Sequence, residues 1–120
     1  MEILNITPTE KTPEVKFDIE GTLYIGGRSV HEHPDNFYNE IIDIVDKTKE
    51  GKKLQVVLDF EYFNTGAAKM ILKLLQKISE RKKSEVIWKY EFGDDDMQEA
   101  GEDYASMINN VSFNLVEKPE

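Results

Sequence analysis

Residues 54–78, "LQVVLDFEYFNTGAAKMILKLLQKI", carry the change of periodicity on which the fold turns. In "LQVVLDF", Leu54, Val56, Leu58 and Phe60 alternate along one face while Val57 adds apolar surface to the other. That is the pattern of a strand inside a sheet. From Ala67 the spacing becomes helical, with Ala67, Ala68, Ile71, Leu74, Leu75 and Ile78 on one stripe. Asn64-Thr65-Gly66 lies at the junction. Asn64 or Thr65 can cap the helix there, accepting a hydrogen bond from a free N–H of its first turn. The same free N–H groups and the positive end of the helix dipole also favour a phosphate, so a threonine at this place is a candidate switch. Gly66 and the two alanines after it leave Thr65 unshielded.

Working towards the N-terminus, "VKFDIE" sets Val15, Phe17 and Ile19 against Lys16, Asp18 and Glu20, as in a strand with one wet face. "EGT" turns the chain and "TLYIGG" returns it as the second arm of a hairpin. "EILNI" ahead of them is a short strand candidate. After "HEHPD" a helix places Phe37, Ile41, Ile44, Val45 and Thr48 on one face, with Pro34 in its first turn and Gly51 at its end. Towards the C-terminus, "EVIWKYEF" is a strand with Val86, Trp88, Tyr90 and Phe92 on one face. "GDDDMQEAGEDYASMI" is a third helix through Met97, Ala100, Gly101, Tyr104 and Ile108, and "VSFNLV" is a last strand presenting Val111, Phe113 and Leu115. A hairpin followed by alternating helix and strand predicts one α/β domain over residues 1–120. Its mixed sheet carries the helices mainly on one face, and "LQVVLDF" lies in its interior.

Composition bounds the function. A chain of 120 residues with 39% hydrophobic and 32% charged residues fits one globular domain. Its net charge of −9 disfavours nucleic acid as a partner. The basic run "KLLQKISERKK" reads as a solvated helix end. The absence of cysteine removes disulfides and thiolate chemistry. "MEILNITPTE" has no signal-peptide character and no apolar run nears the ~20 residues of a membrane span, so the expected compartment is the cytoplasm.

Catalytic and metal-binding alternatives are thin. Asp94, Asp95 and Asp96 could join His31 and His33 around a metal, but they lack the alternating ligand spacing of a calcium loop and suit a helix start. Asp59 and Glu61 share one face near the end of their strand, where they could do acid–base work, face solvent or pair with Lys69. No glycine-rich phosphate loop, nucleophile elbow or zinc-protease motif accompanies them. The expectation is a protein that is not an enzyme and needs no metal or cofactor.

"TPEVKFD", "GTLYIGGRS", "NFY", "YFNT", "WKYEFGDDDMQEAGEDY" and the closing "FNLVE" occur in an order that resembles the SiaC-type regulatory phosphoproteins, over nearly the whole chain. The resemblance implies a fold and logic similar to the STAS-type anti-anti-sigma factors. It implies that Thr65 is the phosphoacceptor, with Asn64, Gly66, Lys69, Arg28, Ser29 and Tyr62 as partner-contacting residues. It further implies a kinase of the histidine-kinase-like, anti-sigma type, a PPM-type phosphatase and a diguanylate cyclase as output partner, hence cyclic di-GMP signalling and biofilm formation. The chain departs from the family pattern in two places. Gly66-Ala67-Ala68 stands where family members often carry serines, and "VHEHPD" stands where Tyr-Pro-Glu is usual.

Overall fold

In the computed structural model, which describes residues 2–48, 53–81 and 83–120, six strands form one sheet in sequential order. They are β1 (Glu2–Ile6), β2 (Glu14–Asp18), β3 (Thr22–Ser29), β4 (Leu54–Phe63), β5 (Ser84–Tyr90) and β6 (Ser112–Glu117). The first three pair antiparallel, and β3 to β6 pair parallel. Helices α1 (Pro34–Lys47), α2 (Thr65–Ser79) and α3 (Asp95–Met107) make the crossovers. Each parallel step moves the same way across the sheet, and crossovers of one hand then put every helix on the same face. The core lies between that face and the helices: Val15, Phe17, Leu23, Ile25, Val56, Leu58, Val86 and Trp88 meet Tyr38, Ile41, Ile71, Leu74 and Leu75. On the open face Lys16 is exposed and Tyr24, Val57, Asp59, Ile87 and Lys89 are half-buried.

Several expectations require correction. Ile19 and Phe92 do not continue their strands, and both are exposed. The Asp18 carboxylate accepts the N–H groups of Glu20, Gly21 and Thr22, which closes the hairpin turn directly after Asp18. Gly93, at φ 83°, lets the chain leave β5 before Phe92 could turn inward. The buried face of α1 is Pro34, Tyr38, Ile41, Ile42 and Val45 rather than the stripe through Phe37, Ile44 and Thr48. Tyr38 draws that rotation, because its hydroxyl finds a partner inside, the Oγ of Ser29, at 2.7 Å. The helix gives way to extended backbone at Thr48; Gly51 lies outside the described residues. The basic run is not all solvated, since Arg81 is buried and donates to the carbonyls of Val45 and Thr48.

A bulge sets the direction of the side chains at the end of β4. Along β3 and β4, Gly27 pairs with Phe60 but Arg28 pairs with Tyr62, so Glu61 is skipped. One extra residue reverses the alternation beyond it. Tyr62 therefore points to solvent while Phe63 turns towards the helices and packs against Phe60, Trp88 and Tyr104.

Candidate functional site: the start of helix α2

The carboxyl ends of the parallel strands share one edge of the sheet, and the chain leaves β4 there through Asn64. The Asn64 N–H donates to the Ser29 carbonyl at 3.0 Å, and its Nδ2 donates to the carbonyl of His31 at 3.3 Å. Its Oδ1 accepts the N–H of Ala67 at 3.0 Å. Asn64 is thus the cap of α2, and Thr65 is the first helical residue. Thr65 is exposed, and among the described residues its hydroxyl has no hydrogen-bond partner. Of the two residues that the sequence offered as the cap, Asn64 fills the role and Thr65 does not.

The separation has a measurable consequence. Asn64→Ala removes the cap and the tie to His31, and is expected to lower stability by about 1 kcal/mol, within the ~0.5–2 kcal/mol of cap deletions. Thr65→Ala should move the urea midpoint by much less. Equal losses for the two would mean that Thr65 shares the capping.

Beneath the turn lies a small polar chain. Ser29 Oγ bonds both the Tyr38 hydroxyl at 2.7 Å and Nε2 of His31 at 2.8 Å. Ser29 is 0% exposed, so the expectation that it contacts a partner is corrected: it holds the site from within. The His31 ring meets the edge of Phe37 at 4.8 Å. Burial lowers the His31 pKa from its ordinary 6.5, so the folded state binds fewer protons than the unfolded chain in mildly acidic solution. Stability is then lost as pH falls through about 6.5, and the loss levels off below the folded-state pKa. Urea midpoints from about pH 8 to about pH 5 should fall more steeply for wild type than for His31→Gln, which lacks the titrating group.

The other candidates are spread over the neighbouring elements. Gly66 and Lys69 are exposed on α2, with Lys69 one turn beyond Thr65. The Arg28 guanidinium lies 5.6 Å from the Tyr62 ring centre, and its Nη1 is 3.7 Å from Glu61 Oε1. These groups are exposed and together form a loose polar rim. Asp59 pairs with Lys118 Nζ at 2.7 Å, so neither carboxylate of β4 is matched with Lys69. Asp94 Oδ1 accepts the Met97 N–H at 3.1 Å, and Asp95 and Asp96 lie in the first turn of α3. The acidic run starts a helix, as helix-end electrostatics favour. His31 is engaged by Ser29, and His33 is exposed just before α1. Among the described residues no group of three or more His, Asp or Glu is placed to hold a metal ion. Among the same residues no helix is long and apolar enough to cross a membrane.

A model of the family described as "SiaC family regulatory phosphoprotein" matches residues 6–118. The chain belongs to the SiaC family. No curated protein sequence matches it significantly. Among solved structures it is similar to a chain from the crystal structure of the diguanylate cyclase SiaD in complex with its activator SiaC from Pseudomonas aeruginosa, with a TM-score of 0.89 at 23% identity, covering 96% of this chain and 99% of that one. It is also similar to SiaC of Pseudomonas aeruginosa, with a TM-score of 0.82 at 22% identity over 97% and 99% of the two chains. A crystal structure of apo-SiaC from the same bacterium gives a TM-score of 0.79 at 23% identity over 99% of both. At these identities the likeness is one of fold.

The family is described as one of regulatory phosphoproteins, and this draws attention to an exposed hydroxyl at a helix start. What the sequence did not single out is the ground beside Thr65. Phe63, Ala68, Leu72, Ala100, Tyr104 and Met107 line an apolar groove between α2 and α3. The signal was present but dispersed: two alanines on facing helices, and a methionine at a helix end that is 52% exposed.

Proposed function

We propose that this protein is a non-enzymatic switch in which reversible phosphorylation of Thr65 selects the binding partner. Unphosphorylated, it binds and activates a diguanylate cyclase, as the activator SiaC is paired with SiaD. A kinase of the histidine-kinase-like, anti-sigma type transfers a phosphoryl group to Thr65 Oγ, and a PPM-type phosphatase removes it. The logic is that of STAS-type partner switching in the cytoplasm, with cyclic di-GMP and biofilm formation as output.

One observation carries the reading: the Thr65 hydroxyl is exposed and unengaged at the first position of α2 while Asn64 does the capping. A phosphate can therefore be added without breaking a bond of the fold. The N–H groups of Thr65 and Gly66, which no carbonyl of the helix can accept, are placed to receive it. The rival reading, an acid–base or metal-dependent enzyme using Asp59, Glu61 and Asp94 to Asp96, has less support. Asp59 is held by Lys118, Glu61 faces Arg28, and Asp94 is spent on its helix cap.

The test is calorimetric titration of diguanylate cyclases from the same genome with the unphosphorylated and the Thr65-phosphorylated protein. Tight binding of the first form alone is expected. Equal affinities would leave Thr65 without a switching role.

A further inference from the structure

Residues 30–35 and 66–68, the two places where the chain departs from the family pattern, meet at the start of α2. A Cβ on Gly66 would lie 3.5 Å from Pro34 Cγ, and the carbonyl of His31 accepts Asn64 Nδ2 at 3.3 Å. The Ser29 carbonyl accepts the Asn64 N–H at 3.0 Å. The residue that caps α2 is therefore held by two residues whose side chains are bonded to each other, Ser29 Oγ to His31 Nε2 at 2.8 Å.

Tyr38 and Ser29 are both 0% exposed. Among the described residues the Tyr38 hydroxyl has one partner, Ser29 Oγ, while Ser29 has a single hydroxyl proton to share between Tyr38 and His31. Every proton finds an acceptor only if Tyr38 donates to Ser29, Ser29 donates to His31 Nε2 and the ring carries its own proton on Nδ1. Burial raises the Tyr38 pKa, so its hydroxyl keeps its proton. A second proton on the ring has to go to Nε2, which turns that acceptor into a donor. Either the chain reverses and leaves the Tyr38 O–H buried with nothing to accept it, or the ring leaves Ser29 for water. His31 is half-buried in the segment between β3 and α1, so the second route is open. The groups packed on the ring offer the new charge no counter-ion: they are Ser29 from β3 and Phe37 and Tyr38 from α1, with Asn64 of the α2 start on its carbonyl. Glu32, His33 and Asp35 beside it are exposed, and Arg28 on β3 is turned to Glu61. Burial lowers the His31 pKa accordingly.

We propose that Ser29, His31 and Tyr38 form a proton sensor for the start of α2. With His31 neutral, its ring stays on Ser29 and its carbonyl stays on Asn64, so the first turn of α2 is closed. With His31 protonated, the ring swings out to water, the carbonyl is withdrawn from Asn64 Nδ2 and the turn that bears Thr65 frays. The sensor rests on the Thr65 reading for its use, which is to make the switch acid-sensitive, but it can be measured without kinase or cyclase.

Two-dimensional NMR of the whole protein from about pH 8 to about pH 5 follows the His31 ring and the backbone amides together. The Ala67 N–H, which Asn64 Oδ1 accepts at 3.0 Å, should titrate with the midpoint of the His31 ring. Below that midpoint its hydrogen-exchange protection should fall by about fivefold relative to Leu74 in the same helix, which is ~1 kcal/mol, the usual effect of a cap, at about 1.4 kcal/mol per tenfold. In His31→Gln the step should vanish; in His33→Gln, which removes an exposed ring that makes no capping bond, it should remain. Ser29→Ala removes the hydrogen bond that favours the neutral ring, so the ring and amide midpoints should both move to higher pH. If Ser29 were merely structural, that variant would lower Ala67 protection at every pH and leave the midpoint in place. An Ala67 amide that ignores the ring, or a step that persists in His31→Gln, overturns the sensor and leaves the Thr65 switch untouched. Over the same pH interval, the cyclase affinity of unphosphorylated wild type should fall more than that of His31→Gln. Equal falls with the amide step present overturn the link from sensor to switch, whereas equal affinities of the two phosphorylation states sink the switch alone.

Discussion

Trp88→Ala lowers stability by about 3–5 kcal/mol, the range for removing a large buried aromatic, and Gly101→Ala destabilises wild type but stabilises that variant. Trp88 is 0% exposed, and its ring lies near those of Phe60, Phe63, Tyr104 and Phe113. Its Nε1 donates to the Met97 carbonyl at 3.0 Å, tying β5 to the first turns of α3. Against a total of ~5–15 kcal/mol for a domain, the loss lowers Tm by about 10–20 °C. The sign reversal at Gly101 comes from geometry. A Cβ on Gly101 would lie 2.5 Å from Trp88 Cδ1 and 2.7 Å from its Nε1. Overpacking of this kind costs ~1–3 kcal/mol, more than the ~1 kcal/mol that alanine gains over glycine inside a helix. With the indole gone, the clash vanishes, the methyl fills part of the cavity and the helix gain remains. A double-mutant cycle in urea measures the coupling directly. If Gly101→Ala has the same sign in both backgrounds, the helix moves aside to relieve the contact and α3 is less firmly seated than its position implies.

Much of the fold is legible in the sequence because periodicity reports burial. The alternation through Leu54, Val56, Leu58 and Phe60 is buried as read, and so is the stripe through Ala67, Ile71, Leu74, Leu75 and Ile78, whereas Ala68, read on the same stripe, is half-buried. The hairpin and the interior place of β4 come from the same patterns. What periodicity cannot report is where alternation stops or slips. Alternation alone carries Ile19 and Phe92 past turns that a single aspartate and a single glycine set. Tyr62 and Phe63 exchange faces because of a bulge that is defined by pairing with β3, a contact remote in sequence. The site shows the same limit. Thr65 is readable because a helix start is a local feature, and the resemblance to SiaC proteins adds its meaning. Ser29 looks like a surface residue, since nothing local reveals that Tyr38 comes back over it after Pro34. The α2–α3 groove arises from small residues thirty-two positions apart, Ala68 and Ala100, which no local pattern joins.

At Thr65, stability and binding should part company. Thr65→Ala removes an exposed hydroxyl that is not the cap, so the isolated domain should change by less than about 0.5 kcal/mol, the usual range for surface substitutions. Thr65→Asp places a carboxylate at the first position of α2, whose first turn carries no acidic residue, and should stabilise by about 0.3–1 kcal/mol through the helix dipole. Binding to the cyclase should run the other way. Alanine cannot accept a phosphate, so Thr65→Ala stays in the partner-binding form with an affinity near that of wild type. Phosphothreonine brings about −1.5 to −2 charges to the surface that, on the proposed reading, the partner covers. Burying a charge without a matched partner costs ~3–5 kcal/mol, which corresponds to a Kd weaker by about 100-fold or more at 1.4 kcal/mol per tenfold. Aspartate carries one charge against nearly two, so its effect should be smaller, about tenfold. The ordering is therefore alanine and wild type tight, aspartate intermediate and phosphothreonine weak, while stability is lowest for alanine and higher for both anions. Urea denaturation and calorimetric titration on the same four preparations separate the two scales. If affinity rose and fell with stability across the set, Thr65 would act through the fold of α2 and not as a charge switch at its surface.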